Sequence, residues 1–436
     1  MTKHLMRGLS LLTAAALFLA ACTPAATATP TSAPQPTAAV EATTAPEPTT
    51  APEPTTAPEA TAESDIQIPD VEEGKFNVAM VLIGPHDDGG WSQAHYEGLL
   101  YIEANMPDAH VAYIEFVPDT ADSEQVFRSL ARKGFDLIFG TSFGYMDPMA
   151  TVAEEFPDQM FIHISGYKSN TTNFGNLFGA MEVMKYIGGM IAGSRAMADG
   201  NPRIGYMATF PIPEELRLGN AIMLGVKRTC PECTLDIRWI NTWHDPVKEK
   251  DGATSLFDAG AQVVFTGADT PAAGDVATEK GKYGVNYDWY GNCTSAGCLT
   301  SPYWNWGPVY TEIALATQAG TYTAGWQYFD ADSGGLGLSG FGEGETLQPG
   351  VASLPEADLQ LIRDTYAAAL AGEFTRFDVF TGPIVDNTGV TLVPEGSAMT
   401  QADLDQFPPG APGLECEYCM YWWADGITAV LPELSN

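Results

Sequence analysis

The sequence predicts an α/β protein of two Rossmann-like lobes, each built on a parallel sheet and joined by a hinge. Three observations carry this reading. From about Lys75 onward short apolar runs alternate with helical patterns, and the cycle runs twice. The apolar runs do not alternate with polar residues, as strands buried on both faces do not. Between the cycles stands "EVMKYIGGMIAGSRAMA", a long small-residue helix placed to cross from one lobe to the other. The chain has 436 residues and 45% hydrophobic content, enough for two cores.

In the first cycle "KFNVAMVLIG", "HVAYIEFVP", "FDLIFGTS" and "MFIHISG" read as strands. "WSQAHYEGLLYIEAN", "SEQVFRSLARKG" and "MDPMATVAEEF" read as the helices between them, the last two with sound helix starts in "SEQ" and "DP". In the second, "RIGYMAT", "TLDIRWIN", "AQVVFTGA" and "KYGVNYD" are strands, separated by helices at about 214–228, 246–258 and 271–281. Lobe 1 is expected over 75–192 and lobe 2 over 193–325, with 326–400 returning between them. In that return, "GLGLSGFGEGETL" is loop-like, or an edge strand rejoining the first lobe. "EADLQLIRDTYAAALAGEF" is a further helix. Residues 401–436 form an aromatic-rich extension.

The N-terminus reads as a leader. "MTKHLMRG" supplies positive charge, "LSLLTAAALFLA" is too short to span a bilayer, and "LAAC" resembles a bacterial lipobox. Residues 1–21 are therefore expected to be removed and Cys22 lipidated, anchoring an exported chain to the bacterial cell membrane. Residues 22–70 are nearly all Thr, Pro, Ala and Glu and read as a disordered stalk reaching up to ~140 Å. Acids outnumber bases 55 to 20, a net charge of −35. That argues against nucleic acid or anionic lipid as a partner.

Ligands of parallel α/β sheets collect at the carboxyl ends of strands. Those ends carry Trp91, Phe143, Tyr145, Tyr167, Phe210, Trp289 and Tyr290, beside Asp87, Asp88, Asp269 and Asp288. Rings that stack and carboxylates that accept hydrogen bonds suit a flat polar ligand. "GPHDDGGWSQAHYEG" crowds acids, glycines and two histidines into one turn. His86 and His95 with Asp87 and Asp88 raise zinc as an alternative, but the stretch lacks HExxH and a second close ligand pair, so no metal is expected. His163 in "FIHISG" reads as a satisfied core residue. No GxSxG, P-loop or GxGxxG stands at a strand–helix turn, and no cofactor is expected. Hydrolysis of nucleosides by acids with raised pKa values is the enzymatic alternative. "DDGG" is too thin for the calcium-binding aspartate cluster that such an enzyme would want.

After Cys22, six cysteines fall in close pairs: Cys230 with Cys233, Cys293 with Cys298, and Cys416 with Cys419. Export favours a disulfide within each pair; a zinc ribbon built from two CxxC knuckles is the alternative.

The order of motifs resembles the basic membrane protein family of ABC-transporter substrate-binding lipoproteins, whose known members bind purine nucleosides or bases. "DDGGWSQAHYEGL" is similar to that family's "DDKSFNQ…EGL", and "DLIFGTSFGYMDPM" to its strand–GxGF–helix segment. "FGAMEVMKYIGGMIAG" resembles its crossover helix, and "RIGYMATFPIPEELRLGNAIMLGVK" its "GFIGGxxIPVxxRFxxGFxAGVK" stretch. The resemblance runs from about Lys75 to Asp378 and implies a type I periplasmic binding protein fold. It further implies a monomer that takes a purine without chemistry and delivers it to a permease. Carried over, Trp91 and Phe143 are stacking rings, Ser92 and Asp88 polar partners, and Asp147 the acid at a helix start. Asp288 is the acid for sugar hydroxyls, and Phe210 and Pro211 lie on the covering loop. Tyr145, Asp269 and Trp306 complete the expected lining. The sequence departs from the family in one place. "LTSPYWNWGPVY" has Tyr303, Trp304, Asn305 and Trp306 where the family usually continues to a ribose-binding lysine. It resembles a branch with "NWGP" that favours free bases such as adenine. A different polar ligand, such as a sugar, or a sensor role is the alternative among binding proteins.

Overall fold

The computed structural model describes residues 66–405 and 416–432. The leader 1–21, Cys22 and nearly all of the stalk lie outside the described residues, as do 406–415 and 433–436 of the extension.

Lobe 1 holds β1 (Phe76–Val81), β2 (Ala109–Ile114), β3 (Leu137–Gly140), β4 (Met160–Ile164) and β5 (Phe174–Gly179). Their order is β5-β4-β3-β1-β2, and every neighbouring pair is parallel. From Asn77 to Val81 every residue of β1 is buried, which is why its sequence does not alternate. Helices α1 (Trp91–Asn105), α2 (Ser123–Lys133) and α3 (Met146–Glu155) cover the sheet. Lobe 2 repeats the plan with β6 (Arg203–Ala208), β7 (Thr234–Trp239), β8 (Val263–Thr266), β9 (Tyr283–Val285) and β10 (Cys298–Thr300), ordered β10-β9-β8-β6-β7 and again parallel. Its helices are α5 (Pro213–Thr229), α6 (Pro246–Asp258) and α7 (Ala272–Lys280). The expected two-lobed α/β architecture is what the chain adopts.

Several elements went unread in the sequence. β5, "FGNLFG", is fully buried, but two glycines and an asparagine dilute its strand signal. After β11 (Pro302–Trp304) and α8 (Trp306–Gln318), the chain rejoins lobe 1 as β12 (Trp326–Phe329), parallel to β5. "GLGLSGFGEGETL" does not supply that edge: its Leu336–Leu338 segment pairs antiparallel with β11. The return falls earlier, on "WQYF".

The crossover helix α4 (Met181–Ala198) is buried over most of its length, and α5 lies against it. Glycines set that distance. A Cβ on Gly225 would stand 1.9 Å from the Tyr186 carbonyl oxygen, and one on Gly189 2.3 Å from that of Ile222. Arg217 of α5 pairs with the buried Glu182 of α4, and its Nη1 lies 2.9 Å from Asp405 Oδ1. The described C-terminal extension packs on lobe 2 through the buried Trp423, which lies over Gly219 and tilts against Trp239. Asn220 donates to Trp422 O at 2.9 Å and accepts from Ala424 N at 2.8 Å. Cys230–Cys233 and Cys293–Cys298 have sulfur separations of 2.01 and 2.02 Å, and Cys416 is bridged to Cys419.

The α4–α5 contact gives a direct test. Gly225→Ala is expected to lower the unfolding free energy by about 1–3 kcal/mol through overpacking, read as a drop in urea midpoint with little change in slope.

A cleft lined by rings and buried carboxyl groups

The carboxyl ends of both sheets face one cleft with an empty volume of ≈ 410 Å³. Lobe 1 contributes Ile83, Trp91, Ser142, Phe143 and Ser165; lobe 2 contributes Glu214, Glu215, Trp243, Gly267, Asp269, Tyr287 and Asp288. Each stands in the turn that follows a strand, or at the start of the helix after it. The lobes touch at the rim. Asn292 Nδ2 donates to Gly89 O at 3.0 Å, and Trp289 Nε1 to Glu97 Oε1 at 2.9 Å. Gly90 comes so near lobe 2 that a Cβ there would fall 1.9 Å from Asp269 O.

Trp91 is held on three sides. Its Nε1 donates to Thr141 O at 2.6 Å. Its ring meets His95 edge-on at 4.2 Å, and Trp304 and Trp306 edge-on at 5.8 Å. Behind it, Trp306 stacks on Trp304 at 4.7 Å and on His95 at 4.5 Å. His95 Nδ1 lies 2.6 Å from Tyr310 Oη. Burial holds the His95 imidazole well below its ordinary pKa, so it packs as a neutral ring.

The carboxyl groups of lobe 2 are strongly perturbed. Burial pushes Glu214 up to about 8, against the pull of Arg217. Glu215 is raised by burial and accepts from Tyr206 Oη at 2.6 Å. Asp269 is raised well above its usual range by burial, then by the charges of Asp88 and Asp288. Asp288 is raised by burial, opposed by Lys185, and accepts from Trp304 Nε1 at 2.7 Å. It also sits at φ +69°, a left-handed position unusual for aspartate. Lys185, on α4, donates to Thr266 O at 2.8 Å and lies 3.2 Å from the Tyr287 ring centroid. Burial lowers its pKa to about 7.

Residues 75–352 match the family described as "Bmp: ABC transporter substrate-binding protein PnrA-like". The chain belongs to the Bmp family. Among relatives of this Bmp protein, a Haloferax volcanii protein is 36% identical over 261 residues, 60% of this chain and 64% of that one. Its provisional name is ABC transporter glucose-binding protein, and the match spans just under two thirds of its length. A purine-binding protein of Brucella abortus is 32% identical over 320 residues, 73% of this chain and 86% of its own. A solved ABC transporter solute-binding protein of Aeropyrum pernix superposes with a TM-score of 0.58 at 17% identity, covering 72% of this chain and 93% of its own, which speaks for the fold.

Of the residues singled out in the sequence, Trp91, Phe143, Asp269 and Asp288 line the cleft of the Bmp protein. The others stand elsewhere. Asp88 accepts from the backbone N–H groups of Gly90, Ser92 and Gln93 at 2.8–3.0 Å and so fastens the start of α1. Ser92 is buried, and its Oγ accepts from Gly84 N at 3.1 Å. Tyr145 turns away into the outer core of lobe 1, where its hydroxyl donates to Val117 O. Asp147 is exposed and pairs with Lys168. Trp306 lies in the ring pile behind Trp91. Phe210 packs on Trp243 at 5.0 Å, and neither it nor Pro211 is part of the lining; their loop instead presents Glu214 and Glu215. Sequence reasoning missed Ser142, Ser165, Glu214, Glu215, Trp243 and Tyr287. Applying the strand-end rule to β7 as well would have found Trp243. Lys185, inside a helix, gave no signal.

Gly90→Ala is expected to hold the lobes apart. Small-angle scattering should give a larger radius of gyration for the variant than for the unchanged protein in the same buffer.

Proposed function

We propose that this Bmp protein is an exported binding protein, anchored through a lipidated Cys22, that captures a purine base as a monomer and presents it to an ABC permease. The observation that carries the reading is the lining itself. Trp91, Phe143 and Trp243 supply flat apolar surface, and Glu214, Glu215, Asp269 and Asp288 supply hydrogen-bonding edges. A carboxyl group that keeps its proton near neutrality donates as well as accepts, and a base with both amino groups and bare ring nitrogens needs both. The Brucella relative, named purine-binding, supports the same class. Among the described residues, no helix is long and apolar enough to cross a membrane.

A free base is favoured over a nucleoside. Asp288, where the family resemblance implies an acid for sugar hydroxyls, is already hydrogen-bonded by the buried indole of Trp304. A sugar is the second reading. The four carboxyl groups would also suit hydroxyls, and the Haloferax relative bears a glucose-binding name. The carboxyl groups act here as hydrogen-bonding partners, with no chemical step. Incubation with inosine or adenosine should release no free base; release would instead support the hydrolase alternative.

Calorimetry with adenine, guanine, adenosine, guanosine and glucose separates these readings. Adenine is expected to bind tightest, and binding of glucose alone would overturn the purine class. Trp91→Ala is expected to weaken purine binding well over tenfold, more than about 1.4 kcal/mol. The pH dependence follows from Glu214, which faces Arg217, Glu215, Glu182 and Lys185. Its raised pKa of about 8 means the proton is held below that pH and lost above it. Lys185 loses its charge over a nearby range, about 7. Both changes add negative charge to the cleft as pH rises. Adenine affinity should therefore be level below about pH 6, begin to fall as Lys185 loses its charge near 7, and fall further as Glu214 loses its proton near 8.

A further inference from the structure

One cluster in the cleft sets acids from both lobes beside a histidine, a combination that the reading above leaves aside. Asp88 from lobe 1 and His244 and Asp269 from lobe 2 each bring a ligating atom to within 4.8 Å of the other two. Asp269 is 2% exposed, and its Oδ2 is sealed from solvent without a protein hydrogen-bond partner. His244 Nδ1 is likewise buried and unpartnered. These are two independent orphaned groups, one a ready metal-ligating nitrogen, the other a carboxylate oxygen. The backbone fixes the arrangement. Asp88 is pinned by the N–H groups that it accepts from, and Asp269 N donates to Trp243 O at 3.2 Å, next to His244.

The surroundings favour a cation. Asp269 feels the carboxylates of Asp88, Asp288, Glu249 and Glu215. A buried acid among other acids keeps its proton until a positive charge joins it, so a cation would bind here in exchange for that proton.

We propose that Asp88, His244 and Asp269 form a divalent metal site that clasps the two lobes at the rim of the cleft. One imidazole nitrogen and two carboxylate oxygens suit a borderline cation of the zinc or manganese kind better than calcium or magnesium, which prefer all-oxygen shells. Three protein ligands leave a fourth position for water. Since the ligands come from both lobes, the metal binds the closed arrangement and stabilises it by mass action. The sequence raises a different set of candidates, His86 and His95 with Asp87 and Asp88, and no metal is expected from it. His86 is engaged by Glu115 at 2.8 Å, and His95 faces Tyr310 inside the ring pile. His244 lies 156 positions beyond Asp88, in the other lobe.

The test needs no purine, so its outcome is independent of the ligand assignment. The full mature chain is stripped with EDTA and titrated with zinc chloride by calorimetry at pH 7. One zinc per chain is expected, with affinity reduced at least tenfold in both His244→Gln and Asp269→Asn. His86→Gln, which removes an imidazole engaged by Glu115 and outside the cluster, should leave the affinity unchanged. Cobalt(II) should give visible absorption bands in the unchanged protein and lose them in His244→Gln. Hydrogen exchange should show zinc-dependent protection of both the 88–92 turn and the 243–245 loop. No zinc binding, or binding insensitive to His244→Gln in a variant with unchanged circular dichroism, would overturn the proposal.

Discussion

Closing two lobes over Glu214, Glu215, Asp269 and Asp288 takes negative charge out of water, and much of the molecule answers that constraint. Burial alone would drive each group to hold its proton. The fold moderates this by placing partners on different elements. Lys185 reaches in from the crossover helix, Arg217 from α5, and the indole N–H of Trp304 from β11. Glu214 and Glu215 also occupy the first turn of α5, where the helix dipole favours negative charge. The resulting cleft is neither a plain acidic patch nor an apolar slot. It offers acceptors and proton-bearing donors side by side, beneath aromatic walls.

The aromatic wall is built from behind. Trp91 opens α1, but its pose is set by rings that arrive more than two hundred residues later on "YWNWGPVY". His95 completes that support. Desolvation strips its imidazole of charge, leaving a flat, neutral ring stacked on Trp306. The departure from the family pattern at Trp304 and Trp306 is thus a matter of packing behind the cleft. It fixes one wall of the cleft and takes up one oxygen of Asp288.

Much of the fold was legible because its strands are buried on both faces and read as unbroken apolar runs. The parts that failed had separate causes. Two glycines and an asparagine dilute β5, whereas β12 is only four residues long and pairs with a strand far earlier in the sequence. At the cleft, position was easier to read than direction. Strand ends pointed to Trp91, Phe143, Asp269 and Asp288. Whether an acid looks into the cleft, as Glu214 does, or ties its own turn, as Asp88 does, depends on backbone angles that residue types do not announce. Asp88 and Ser92 belong to the most recognisable motif in the chain, yet their hydrogen bonds are spent on holding the motif's own shape.

The glycine seam between α4 and α5 has a mechanical meaning. Helices whose backbones nearly touch cannot slide without steric overlap, so the crossover helix must travel with lobe 2 as one solid piece. α8, packed on α1, belongs to the other piece. Any relative movement is left to the short joints where the chain changes sides, between β5 and α4, between β11 and α8, and after β12. Two of these joints are laced together, since Ala180 N donates to Phe329 O at 2.8 Å. Two stiff halves on short, tied joints can move only as wholes, so any change in the width of the cleft would carry every residue lining one side together.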